Sequence, residues 1–229
     1  MVLPGVRPVR LKERSLRDVR NKEVGKALSA DWMRPLSLPI TIQHGAMPHL
    51  TMRSMLDEAK LRAFMAGIAQ RSRGPGRIYL VGGASAVLLG MRLQTIDIDI
   101  KADPEPLGVF EAIPHLKQEL SINVELASPD QFIPPLPGWR ERSLYIDRIN
   151  LVDFYHYDFY SQALAKILRG HRFDREDAMS FVRLGLVEPK RLRDLYLQIV
   201  GELARYPAVD PETFRVRVER FVEETVGPD

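Results

Sequence analysis

Arg77-Ile78-Tyr79-Leu80-Val81-Gly82-Gly83-Ala84-Ser85 runs as an apolar strand straight into a pair of glycines, and thirteen residues (84–96) separate Gly83 from Asp97 in the run Thr95-Ile96-Asp97-Ile98-Asp99-Ile100. Side chains alternate faces along a strand. Asp97 and Asp99 should therefore project together, about 6.5–7 Å apart, while Ile96, Ile98 and Ile100 turn the other way into a core. Two carboxylates on one face beside a glycine turn are what a Mg²⁺-dependent phosphoryl-transfer site needs. The carboxylates hold the metal, and bare backbone N–H groups receive phosphate oxygens.

Outward from these runs, the expected elements fall into three segments. Residues 1–50 contain Pro4, Pro8, Pro35, Pro39 and Pro48, with no periodicity beyond a short helical pattern at 11–28. They read as a basic, poorly ordered N-terminal extension. Residues 51–158 read as the catalytic core and 159–229 as a helical segment packed on it. Ser54 followed by Asp57 and Glu58 predicts a helix start, and Leu56, Leu61, Phe64, Met65 and Ile68 form its apolar stripe. Strands are expected at 77–82 and 95–101, with a short helix over 84–90 between them. A helix over 105–119 should bury Leu107, Phe110, Ile113, Leu116 and Leu120 on one face. A third strand covers 122–127, and a proline-rich loop leads to a hairpin of 143–147 and 149–156 turning at Asp147-Arg148. Four helices follow, over 159–169, 174–184, 189–204 and 211–225, with Gly170 and Gly185 as stops. The fold class is α/β (α+β): a small mixed sheet with flanking helices and a helical C-terminal part.

Composition narrows the function classes. The chain has 229 residues, 45% of them hydrophobic, enough for a sizeable core. No apolar run approaches the roughly 20 residues that span a bilayer, so no membrane partner is expected. With no cysteine, disulfides and thiolate zinc sites are excluded, and a cytoplasmic protein is the plain reading. Residues 1–30 carry eight Lys/Arg against three acids. That is +5 of a chain total of +3, so residues 31–229 sum to −2. The basic pI therefore belongs to a tail, which is a solvated segment more often than a nucleic-acid contact.

The run strand, Gly-Gly, helix, strand, Asp-x-Asp resembles the nucleotidyltransferase superfamily related to DNA polymerase β. Gly90, Arg92, Thr95, Asp97 and Asp99 also match a Gly-x-Arg-x-x-Thr-x-Asp-x-Asp form. That form is similar to the toxin nucleotidyltransferases of abortive-infection and related toxin–antitoxin pairs, and to uncharacterised bacterial relatives. The stretch from Ala165-Lys166 to Asp174-Arg175-Glu176-Asp177 resembles the Lys…Arg…Asp-x-x-Asp segment of the same branch. The likeness covers about residues 54–195.

The resemblance implies roles. Asp97 and Asp99 would bind Mg²⁺ (or Mn²⁺), with Glu125 as the third carboxylate; Asp130 and Asp153 are weaker choices. Gly82, Gly83 and Ser85, with Arg92 and Thr95, would contact the nucleoside triphosphate, and Lys166 would pair with its phosphates. Asp174 or Asp177 would orient Lys166 or the acceptor. The expected reaction moves a nucleotidyl group from an NTP to a hydroxyl of RNA, a tRNA 3′ end, a protein or a small molecule. A cognate antitoxin is an implied partner. The alternative is a catalytically degenerate member that acts as a binding or regulatory partner.

Plainer readings stand beside these. Gly82-Gly83 also suits a tight turn with no ligand, and it lacks the spacing of a dinucleotide fingerprint. A metal-dependent glycosyltransferase also uses Asp-x-Asp, but this chain is short for one. Lys166 could be a rim lysine, and residues 169–177 a solvated run of ion pairs. His156 and His171 read as surface or rim histidines. Phe154, Tyr155, Tyr157, Phe159 and Tyr160 could stack bases, but suit a core better.

Overall fold

The computed structural model describes residues 55–226. The expected extension over 1–50 and the expected helix start at Ser54 lie outside the described residues.

The first helix, α1 (Glu58–Arg71), is capped by Asp57, whose carboxylate accepts from the Lys60 amide at 2.9 Å. This satisfies one of the amides that a helix start leaves unpaired. Its stripe of Leu61, Phe64, Met65 and Ile68 is fully buried. Strand β1 (Gly76–Val81) passes directly into α2 (Gly82–Leu88), which begins two residues earlier than expected. Strand β2 (Asp97–Ala102) begins at the first aspartate. Ile98 and Ile100 are buried as predicted, but Ile96 precedes the strand and is half exposed.

Helix α3 (Val109–Glu119) starts later than expected, so Leu107 lies outside it, and both Leu107 and Phe110 are exposed. Strand β3 (Asn123–Glu125) and a one-turn 3₁₀ segment (Pro129–Gln131) lead to a short helix, α4 (Trp139–Arg142). The hairpin of β4 (Leu144–Ile149) and β5 (Val152–His156) turns at Asn150-Leu151 and not at Asp147-Arg148. Asn150 takes the left-handed conformation there, with φ 51°, which asparagine tolerates better than most residues. Four helices complete the described chain: α5 (Phe159–Arg169), α6 (Arg172–Arg183), α7 (Pro189–Ile199) and α8 (Pro211–Val226). Gly170 and Gly185, both at φ +70°, end α5 and α6 as read from the sequence. None of the described helices is long and apolar enough to cross a membrane.

The five strands form one mixed sheet in the order β3-β2-β1-β5-β4. β1 pairs antiparallel with β2 and parallel with β5, and β2 pairs parallel with β3. The sheet separates two apolar cores. Ile78, Leu80, Ile98, Ile100, Val124 and Phe154 face α1, α2 and α3. Tyr79 and its neighbours face the C-terminal helices, where they meet Trp139, Tyr157, Leu164, Phe181, Leu192, Tyr196, Phe214 and Phe221. Strand parity thus puts Val81, Asp97 and Asp99 on the side of α5.

Candidate active site

Asp99 sits at the middle of the sheet's polar edge, paired with Val81 on one side and Glu125 on the other, while Asp97 pairs with Asn123. Asp97, Asp99 and Glu125 therefore stand on two neighbouring strands and share one notch of about 250 Å³. Gly82, Phe132 and, from α5, Gln162, Lys166 and Arg169 are also among the residues that line it.

Electrostatics mark Asp99 as the strained charge. Its carboxyl is pushed up to about 6, first by burial and then by the like charges of Glu125 and Asp97, with Arg169 and Lys166 opposing. The amide of Asn123 bridges the other two acids, donating to Asp97 Oδ1 at 2.8 Å and to Glu125 Oε1 at 2.9 Å. Among the described residues, no three carboxylate or imidazole groups are drawn together as a ready-made cation cage. The three acids line one notch, and the Asn123 side-chain amide lies between two of them.

Helix α5 is placed by a buried anchor. Asp158 receives Arg142 in two parallel hydrogen bonds, of 3.0 and 2.9 Å, and caps the helix through the Ser161 amide and hydroxyl. One turn on, Gln162 Nε2 donates to the Tyr157 carbonyl at 2.7 Å, and Gln162 Oε1 accepts the Gly82 amide at 2.9 Å. Lys166, 7% exposed, donates to Asp174 at 3.2 Å and to Asp177 at 2.7 Å. Arg169 shares Asp174, and Arg92 pairs with Asp177.

Of the residues expected from sequence, Gly82, Asp97, Asp99, Glu125 and Lys166 meet at the notch. Asp174 and Asp177 reach it through Lys166. The remaining expected ligands are placed otherwise. Ser85 is fully buried, its hydroxyl 2.5 Å from His156 Nδ1, so it faces an imidazole and not a phosphate. His156 is consequently a buried residue, not a surface one. Its imidazole is held down to about 4, by burial and then by Arg62. Gly83 lies against Thr95, which is joined to Leu56 by paired backbone hydrogen bonds, and neither lines the notch. Arg92 is taken up by Asp177.

The weaker acid candidates are also engaged elsewhere: Asp130 with Lys101 at 2.6 Å and Asp153 with Arg148 at 2.6 Å. In the run 169–177, Arg172 and Glu176 form an exposed pair, but Asp174 and Asp177 serve the buried lysine. Phe154, Tyr157, Phe159 and Tyr160 belong to the cores, and Tyr155 is half-buried against Tyr79. Asn123, Gln162 and Phe132 were not singled out from the sequence, and Arg169, read there as the start of a solvated run of ion pairs, lines the notch. Of the first three, only Asn123, two residues before Glu125 in the same strand, carried a local signal.

A mixed sheet with an Asp-x-Asp strand beside a glycine turn, faced by a lysine-bearing helix, defines a protein of the nucleotidyltransferase class. Residues 58–221 match the family model described as nucleotidyltransferase of unknown function (DUF6036), and the chain belongs to that family. No curated protein and no solved structure matches it.

Proposed function

We propose that this protein is a divalent-cation-dependent nucleotidyltransferase that moves a nucleotidyl group from an NTP to a hydroxyl of RNA, a protein or a small molecule. The family supports nucleotidyl transfer in general terms. One observation carries the finer reading: Asp97, Asp99 and Glu125 line one notch opposite the cations Lys166 and Arg169, where burial and then the two neighbouring acids push the Asp99 carboxyl up to about 6.

The donor set fits Mg²⁺ or Mn²⁺. All three groups are hard oxygen ligands, and their mutual repulsion is what a divalent charge offsets. Asp97 and Asp99 would hold the ion, with Glu125 joining once the Asn123 amide gives up its bridging position. A bound ion supplies charge neutralisation at the phosphate oxygens. Lys166 and Arg169 bind the triphosphate, and the two aspartates of α6 keep Lys166 aimed at the notch. The acceptor oxygen attacks the α-phosphorus, the bond from that phosphorus to the bridging oxygen breaks, and pyrophosphate leaves. The hydroxyl proton passes to a carboxylate of the notch.

Thermal unfolding with Mg²⁺ and NTP tests this. The wild type should be stabilised, and Asp97→Asn/Asp99→Asn should lose the effect. No stabilisation of the wild type, or equal stabilisation of both, overturns the reading. Incubation of the protein with α-labelled NTPs and lysate, resolved on a gel, then identifies the acceptor.

A further inference from the structure

Phe132 is a large aromatic residue 39% exposed, and it lines the same notch as the three carboxylates. What sets this ring apart from other exposed apolar side chains is its place in the lining of the notch, with part of its surface open to an incoming ligand. The loop that carries it is firmly held. Phe132 caps the 3₁₀ turn through its amide to the Pro129 carbonyl, at 3.0 Å. Within that turn, Asp130 is tied to Lys101 at 2.6 Å, and its carbonyl accepts the Tyr206 hydroxyl at 3.2 Å. The next residue, Ile133, is buried in the C-terminal core. The ring is therefore presented on a fixed support.

Arg169 joins this ring to the chemistry. Its guanidinium carbon lies 5.8 Å from the Phe132 centroid, and its charge acts on Asp99. At about 250 Å³, the notch is smaller than sites that enclose whole ligands, typically about 300–1,000 Å³. A nucleotide whose phosphates meet the carboxylates and Lys166 would extend beyond this volume, and Phe132 is the partly exposed aromatic ring in the lining that its base could meet.

We propose that Phe132, flanked by Arg169, is the platform on which the nucleobase of the incoming NTP stacks, so that the notch recognises a nucleotide and not a bare polyphosphate. The inference rests on the nucleotidyltransferase reading above. Stacking on a ring accepts any base, so selectivity among the four should be weak. The sequence-level candidates for stacking, Phe154 through Tyr160, sit in the cores or against Tyr79. The platform comes from the proline-rich loop instead.

The test compares two ligands on the full chain. One set is the four α,β-methylene NTPs with Mg²⁺, which cannot be turned over, and the other is inorganic tripolyphosphate with Mg²⁺. The wild type should bind the nucleotides at least tenfold more tightly than tripolyphosphate. Phe132→Leu keeps an apolar side chain without a π face. It should weaken nucleotide binding about tenfold or more while leaving tripolyphosphate binding unchanged. Phe132→Trp should retain nucleotide affinity, which separates stacking from a general disturbance of the loop. Equal wild-type affinity for both ligands overturns the platform, as does a Phe132→Leu effect that is absent or equal for both. Both outcomes leave the phosphate site standing. If the wild type binds neither ligand, the nucleotidyltransferase reading falls and the platform with it.

Discussion

Gly83 and Thr95 touch so closely that a methyl group on Gly83 would stand 2.1 Å from Thr95 Oγ1 and 2.9 Å from its Cβ. Thr95 is held by its backbone pairing with Leu56, so it cannot easily retreat. Two residues that the superfamily pattern suggests as nucleotide ligands are thus a packing joint between the glycine turn and the loop into β2. Gly82 has a separate requirement. Its φ is +56°, and a Cβ there would come within 3.1 Å of Asp99 Oδ2.

Gly83→Ala should therefore lower stability by about 1–3 kcal/mol, the usual cost of overpacking. Adding Thr95→Ala removes the nearer oxygen and should recover part of that loss. Urea unfolding of the two single variants and the double variant measures the coupling. Additive losses would show that the contact is not the cause.

Asp99 sets a pH dependence of definite sign. Its folded pKa, about 6, lies above the ordinary 3.8. Between those values the folded state keeps a proton that the unfolded chain has lost. The contribution of Asp99 is thus full below about pH 4 and is lost as pH rises through 6. In metal-free buffer, the stability of Asp99→Asn relative to wild type should climb from pH 4 to about 6 and then level off. A flat difference across that range contradicts both the burial of Asp99 and its crowding by Glu125 and Asp97.

His156 acts in the opposite direction. Its folded pKa, about 4, lies below the ordinary 6.5, so protons bind the unfolded chain first. Its contribution is present above pH 6.5 and is lost as pH falls toward 4. His156→Phe removes the titrating ring. Its stability relative to wild type should improve steadily from pH 6.5 down to 4, read from chemical unfolding at each pH. A difference that does not change with pH would mean the imidazole titrates freely.

Lys166 is nearly buried between Asp174 and Asp177. Lys166→Met leaves both carboxylates without their ammonium and should cost about 3 kcal/mol. That is the low end for breaking a buried ion pair, because Arg169 and Arg92 still contact the two acids. Lys166→Arg, which keeps a cationic donor between the two acids, should lose less than Lys166→Met. Unfolding free energies of the two variants decide this, and equal losses rule out the ion pairs as the cause.

Much of the framework was legible from neighbours along the chain. The buried α1 stripe, the alternation of Ile98 and Ile100, and the glycine stops at Gly170 and Gly185 all follow from local pattern. The errors fall at boundaries and rotations. Ile96 precedes its strand, Phe110 is exposed on its helix, and the hairpin turns at Asn150. In the site, Asp97, Asp99 and Lys166 were readable because each lies in a motif, and Glu125 because it is central in the strand expected to pair beside Asp97. Ser85 was not readable, since its partner His156 is 71 residues away.

The order of residues alone determined that two aspartates share one face of a strand beside a glycine turn, because strand periodicity and glycine's freedom act over a few residues. Only the tertiary structure decided which groups meet them. The register of three strands and the seating of α5 carry Glu125, Gln162, Lys166 and Arg169 to Asp99, and the Asp130 anchors hold the turn beside Phe132 in the lining of the notch. These meetings are set by close packing between segments far apart in the chain, and no local pattern encodes them.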